Sequence, residues 1–403
     1  MQKKLFLAGG VLLLAFAVIL TAGCVGEDTG GKPTIDVVEI AAGQQVSSLG
    51  MGQIDGMINW QPNVAAATES GIGKVISYSQ NLPRSDGKTW EEHTCCVFGA
   101  NEQGIENNSL AAVLTGLMLL GNEYITEHPK ESAAFVADWL YGNTDPTFGD
   151  KTVSGTAIIE ASLPTIRFST EISDTWLTSN YEFLETQRTL GTIVNHLKNT
   201  SREETEELIY DFKPYYTAAE ALNAGTLPEP VSKDITIGYL ISDHDSPLFV
   251  LLKNWEFFKN TCNAYIKPAA DKSGPVEKAE LYVNGKKICN VSLVAGSGGP
   301  NLMTMLQTNT IQYAVAGTPP FLSSIDTQPG LKILSPIMTE GSALVVAADA
   351  PANTWAEFAA WAKERSAAGQ NLVIAIPQVK SIQDVQLKDA LESAGITYKV
   401  KSA

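Results

Sequence analysis

Two stretches of strand–helix alternation, set on either side of a long helical block, restrict the possible folds of this chain more than any other feature. Residues 34–101 read as "TIDVVEIA", "GQQVSSLGMGQI", "DGMINW", "PNVAAATESGI" and "KVISYS", with β-rich runs alternating with helix-forming ones. The alternation resumes at Lys233–Phe249, "KDITIGYLISDHDSPLF", which has the form of a domain's opening: strand, polar turn, then Pro at the start of an apolar helix. It continues through "KAELYVN", "KICNVSLVAG", "NLMTMLQTN", "QYAVAG", "LKILSPI", "SALVVAAD" and "NLVIAIP" to "SIQDVQLKDALESAG" and "ITYKVKSA". This pattern predicts mostly parallel sheets with helices on their faces. At 403 residues the chain exceeds one ordinary core, so two alternating blocks predict two α/β lobes. An apparent first strand that arrives more than halfway down the chain needs an explanation.

Between the blocks, residues 107–222 read as helices. "EFLETQRTLGTIVNHL" sets Phe183, Leu190, Val194 and Leu197 on one helical face, and Ser201 with Glu204 makes a capping box ahead of "REETEELIYDF". Thr354 with Glu357 makes another, and Gly395 stops the helix before the last strand. "NAGTLPEPVSKD", residues 223–234, reads as a Pro-containing linker. "NSLAAVLTGLMLLGNEYI" has an apolar core too short to span a bilayer between Asn108 and the Asn122–Glu123 pair, which predicts a buried helix.

The first residues have the composition of an address. Lys3 and Lys4 precede "LFLAGGVLLLAFAVIL", and "TAGC" places small residues ahead of Cys24, which resembles a lipoprotein signal cut before a cysteine that takes a lipid. Residues 1–23 are then the signal and 24–33 a Gly-rich tether. The alternative is an uncleaved membrane anchor, and either puts the bulk of the protein outside the cytoplasmic membrane. There Cys95, Cys96, Cys262 and Cys289 are permitted to form disulfides, in any of three pairings. A net charge of -16 repels phosphate backbones and argues against a nucleic-acid partner.

Several strands run into small, polar or Gly/Pro-rich turns: "SDHDSP" at 242–247, "GSGGPN" at 296–301, "GTPP" at 317–320, "PQVKS" at 377–381, "AAGQQ" at 41–45 and "NWQP" at 59–62. In open α/β sheets, ligands bind beyond the carboxyl ends of strands, where helix N-termini offer free N–H groups. Any one such turn is ordinary; the set, drawn from both blocks, suggests a cleft between two facing lobes.

These segments resemble the substrate-binding proteins of ABC importers, in the nitrate, sulfonate, taurine and thiamine-precursor group with the type II periplasmic-binding-protein fold. "ITIGYLISDHDSPLFVLLKNWEFF" is similar to that family's first strand and helix, and "GSGGPNLMTMLQTNTIQYAVAGTPPFLSSI" to the segment whose helix samples the solute. "SIQDVQLKDALESAGI" resembles the second-lobe helix that faces the cleft, "VSSLGMGQIDGMINWQPNVAAATESGIGKVI" the stretch after it, and "CCVFGAN" the return strand. In the family, segments like 235–403 come first and those like 34–222 second, so the resemblance implies a circular permutation, with a trimmed tandem gene as the rival origin. Lobe one is then 235–353 with the helical block and return strand 97–222, and lobe two is 34–96 with 354–403. Domain termini often lie close together, so such a permutation need not disturb the fold.

The resemblance further implies an extracytoplasmic, lipid-anchored, monomeric receptor that closes on a small anionic or heteroaromatic solute and docks on an ABC permease with its ATPase, without cofactor or catalytic residue. The solute contacts it implies are Ser242, His244 and Asp245, Ser297 and Gly298, Gly317 and Thr318, Gln378, Lys380 and Ser381, and Asn59 with Trp60. Ser381 is also an N-cap candidate. Lys380 can pair with an anion or lie in solvent, and Trp60 can stack on a ligand or fill the core. His244 beside Asp245 reads as a hydrogen-bonding pair and not as a metal site. "HTCCVF" carries His93, Cys95 and Cys96, a partial match to the longer cysteine run of fungal thiamine-pyrimidine synthases; buried strand cysteines are the ordinary reading. A synthase-like enzyme and a solute sensor are the alternatives to an importer's receptor.

Overall fold

A computed structural model of the chain describes residues 31–142 and 144–401; the expected signal 1–23, Cys24 and tether residues 24–30 lie outside them. Two large sheets carry the architecture. One has six strands, ordered Thr397–Lys401, Thr34–Glu39, Val373–Ile376, Gly56–Trp60, Ser342–Ala347 and Gly73–Tyr78. The other has seven, ordered Lys332–Pro336, Cys96–Ala100, Tyr313–Gly317, Ile235–Leu240, Lys286–Gly296, Lys278–Val283 and Ala264–Pro268. Helices intervene between the parallel strands, as parallel pairing requires. The protein is thus an α/β structure, as the alternation predicted, but its sheets are mixed and not mostly parallel: the adjacent hairpin strands within 264–296 pair antiparallel, and so do Cys96–Ala100 and Ser342–Ala347 with their neighbours.

Both ends of the described chain enter the same sheet. Ile35 lies opposite Tyr398 and Asp36 opposite Val373, both in parallel register, and Lys401 pairs with Asp36. The seven-stranded sheet is built from 96–100 and 235–336. The chain passes between the sheets twice, at 79–95 and at 337–341. Each passage leads into a strand that runs antiparallel to its neighbours on both sides, Cys96–Ala100 in one sheet and Ser342–Ala347 in the other. Ser342–Ala347 therefore belongs with the six-stranded sheet, not with 235–336, and the boundary expected at 353–354 falls near Gly341. Its composition gave no warning, because a buried strand has the same apolar run in either sheet.

The helical block packs on the seven-stranded side. Asn108–Glu127 is long and apolar enough to cross a membrane, yet 72% of its apolar window is buried, against the helices Ser246–Lys253 and Lys213–Asn223 among others. One helical reading fails. The helix Asp174–Thr189 ends at Leu190, where Gly191 takes φ 70°, and Val194 is 52% exposed while Phe183 and Leu197 are buried. The capping box at Ser201 and Glu204 forms in full. At Thr354 only half does, because the Glu357 carboxylate accepts from the Asn353 N–H, one residue early. Gly395, at φ 68°, follows the last helix as expected.

Candidate functional site

Where the two sheets meet, strand-end turns from both line a cavity of about 300 Å³. The six-stranded sheet contributes Ala41–Gly43, Trp60, Pro62 and Asn63; the seven-stranded sheet contributes Ile241, Gly296 and Ser297; the helical block adds Leu140, Tyr141, Pro146 and Phe148. The lining is largely apolar and aromatic. Ile241 is 62% exposed, an uncommon state for isoleucine beside a cavity rim. Trp60 is buried, with its indole N–H unpartnered by the protein.

Three helices begin at this cavity: Ala42–Gly50, Asn63–Glu69 and Gly299–Gln307. Their N-cap residues, Ala41, Pro62 and Gly298, supply no side-chain cap, although the Ala65 N–H in the first turn of Asn63–Glu69 donates to Gln61 Oε1 at 2.9 Å and the Gln44 N–H in that of Ala42–Gly50 to Ala41 O at 2.8 Å. First-turn N–H groups without such a cap need another acceptor. An aromatic slot fringed by helix starts whose N-cap residues lend no side chain suits a flat solute that carries hydrogen-bond acceptors.

Asn59 is not free to join it. Its Nδ2 donates to Ala42 O and Gln45 Oε1, at 3.0 and 2.9 Å, and its Oδ1 accepts from the Trp60 N–H at 2.8 Å. It fixes one turn against the next and so aims Trp60. Of the other expected contacts, only Ser297 lines the cavity.

Gly298 and Gln378 instead meet each other across the sheets: a Cβ on Gly298 would stand 2.3 Å from Gln378 Oε1. Gly317 abuts Ile382, and Thr318 bonds to Cys95 O and Thr94 Oγ1. Ser381 caps the helix Ile382–Ser393 as expected, accepting from the Asp384 N–H. The Lys380 N–H, however, donates to the Asp384 carboxylate, and Lys388 pairs with the same group at 2.8 Å. That helix start already has its anion.

The "SDHD" turn is buried in the crossing. Ser242 Oγ donates to Gln61 O at 2.7 Å, and His244 Nε2 bonds to Gly341 O at 2.8 Å. Gly341 O also accepts from the Gln61 N–H at 3.0 Å, so one carbonyl ties both sheets. Gly341 sits at φ 78°, and a Cβ there would come 2.6 Å from His244 Nε2; only glycine satisfies both conditions. Burial raises the Asp243 carboxyl to about 6, despite His244 and a hydrogen bond from Ser162. Burial likewise raises Asp245 well above its ordinary range, although Leu240 N donates to it at 2.7 Å.

Behind His244 lie Cys95 and Cys96, with Sγ to Nδ1 distances of 3.5 and 3.7 Å. The described cysteines are all free thiols and none forms a disulfide. Burial opposes charge on Cys95, but the bond from Cys96 and the His244 charge outweigh it and lower the thiol well below its ordinary range. Cys96 is pushed well above its range by that bond and by burial. Burial also opposes charge on His244, yet the Cys95 thiolate holds the imidazole up at about 9. The expected His93 is elsewhere, bonded to Thr94 O and Ser79 Oγ, both at 2.8 Å. None of Cys95, Cys96 or His244 borders the cavity.

Sequence reasoning missed Tyr141 and Phe148. The signal was present in "YGNTDPTFGD", two aromatics in a turn-rich break between helices, but nothing local tied it to the strand-end turns.

Comparison with known proteins matches residues 22–141 to the NMT1-like family. That segment holds Trp60, Cys95, Cys96 and Tyr141. An uncharacterized protein of Methanocaldococcus jannaschii is 31% identical over 135 residues, 33% of this chain and 90% of that protein. No solved structure matches the chain. The mixed α/β architecture is compatible with a periplasmic-binding-protein-like fold, and the chain belongs, through this segment, to the NMT1-like family of the nitrate-, sulfonate- and taurine-binding periplasmic group.

Proposed function

We propose that this protein is a lipid-anchored, extracytoplasmic, monomeric solute receptor of an ABC importer. Two lobes, one around each sheet, close on the solute, and the closed form docks on the permease with its ATPase. The observation that carries the reading is the cavity walled by strand-end turns of both sheets, with Trp60, Tyr141 and Phe148 along it. Among the described lining residues there is no lysine, arginine or histidine, which favours the heteroaromatic side of the expected solute range over a simple anion. Ring faces stack on the aromatics and ring acceptors take the uncapped N–H groups. Such a receptor needs no cofactor and no catalytic group.

The circular permutation is part of the reading. It is supported by a sheet that draws its strands from both ends of the chain. The terminal strands run parallel and side by side, so an ancestral join between them was a crossover of on the order of a dozen residues, not a hairpin.

A thermal-shift screen of purified protein tests the function. Pyrimidines, flavins, sulfonates and nitrate are compared, and a ligand at 100 times its dissociation constant stabilises by about 2.7 kcal/mol. A heteroaromatic hit that quenches tryptophan fluorescence in the native protein but not in Trp60→Leu supports the proposal. Binding of nitrate or sulfonate alone, insensitive to Trp60, overturns the choice of site.

A further inference from the structure

Away from the cavity, the densest grouping of reactive side chains is the one the crossing brings together. Cys95 Sγ, Cys96 Sγ and a ring nitrogen of His244 lie within 4.8 Å of one another, and all three residues are buried. A tetrahedral zinc centre has bonds of about 2.3 Å to sulfur and 2.0–2.1 Å to nitrogen, which sets each sulfur about 3.6 Å from the nitrogen. The Sγ to Nδ1 separations here are 3.5 and 3.7 Å.

The ring is also oriented as a ligand requires. Nε2–H donates to Gly341 O at 2.8 Å, which turns Nδ1 toward the sulfurs and holds it there, as backbone carbonyls do behind metal-bound histidines. Asp243 and Asp245, on either side of His244, each keep one buried carboxylate oxygen with no hydrogen-bond partner. These two unpartnered carboxyl oxygens leave acceptor capacity beside the pocket.

We propose that Cys95, Cys96 and His244 bind a borderline-soft divalent cation of the zinc type. The charge balance is even. Two thiolates and a neutral imidazole around a dication carry no net charge, and the ligands give up their exchangeable protons as the ion binds. The ion joins the incoming crossing at Cys95–Cys96 to the turn after Ile235–Leu240, whose His244 already holds the second crossing through Gly341. It is a staple across both passages between the sheets. The site does not depend on the solute proposal, because it shares no residue with the cavity.

Cobalt(II) titration of the reduced full-length chain, in detergent, tests it. Expected are a near-ultraviolet thiolate-to-cobalt charge-transfer band and intense visible d–d bands of tetrahedral type, saturating at one cobalt per chain and bleached by zinc. Cys95→Ser and Cys96→Ser each remove the charge-transfer band or halve it, while Cys262→Ser leaves it intact. Zinc raises the melting temperature of the native chain and not of the double serine variant. A reduced native chain with no charge-transfer band overturns the proposal, as does a band that survives both substitutions or disappears with Cys262→Ser. Should the double variant misfold, the native spectrum and the Cys262→Ser control still decide.

Discussion

The cavity and the crossing lie a few residues apart on the same turns, and they are built on opposite terms. The cavity is rimmed by Ile241, Tyr141 and Trp60, with helix starts whose N-cap residues lend no side chain. The crossing begins one residue on, at Ser242, and there the polar groups are tied to neighbours, Ser242 to Gln61, His244 to Gly341 and the cysteines, Asp245 to Leu240, leaving one oxygen each of Asp243 and Asp245 without a partner. A solute needs unsatisfied donors and a yielding wall, whereas a passage between sheets needs fixed geometry. The boundary between the two requirements falls between Ile241 and Ser242.

The largest effect expected from this contrast is at Gly341. Gly341→Val forces a β-branched side chain into a left-handed backbone and onto His244, at a cost of about 3 kcal/mol or more in denaturant unfolding. A cost below about 1 kcal/mol would show that the crossing yields, and the contrast would fail. Trp60→Leu sharpens the other side. It should weaken the solute found by screening by roughly thirtyfold, equivalent to about 2 kcal/mol, while costing less stability than Gly341→Val; calorimetric titration and melting measured together separate the two.

Ser242→Ala deletes one buried bond between the sheets and should cost about 1 kcal/mol, with solute affinity unchanged within a factor of a few. An affinity loss larger than the stability loss would place Ser242 with the cavity after all. The smallest effect concerns the first passage, where Ser85 donates to Asp389 on the helix Ile382–Ser393. Burial raises the Asp389 carboxyl above its ordinary 3.8, so the folded state holds the proton more tightly than the unfolded one. Stability is therefore lost as pH rises from that ordinary value through the higher folded one, and Asp389→Asn should flatten this slope in pH-dependent unfolding. An unchanged slope would assign it to other groups.

The contrast also separates what could be read in the chain from what could not. Helix starts and stops at Ser201, Ser381 and Gly395, and the buried character of Asn108–Glu127, follow from side chains within a few positions of one another, and these were legible. So were the strand-end turns as a set, since their composition is set by local backbone demands. Which turn residues face a ligand was not legible: Asn59 and Ser242 have the polarity of ligand contacts and spend it on their neighbours.

By itself, then, the sequence determined the alternation of elements, their local ends and the α/β class, because hydrophobic periodicity and capping act over one or two turns of chain. The tertiary structure alone decided that Ser342–Ala347 changes sheets, that Tyr141 and Phe148 reach the strand-end turns, and that Cys95 meets His244 across a separation of 149 residues. Those choices are made by burying whole faces against one another, and a burial energy shared among many distant residues leaves no mark on any short stretch of them.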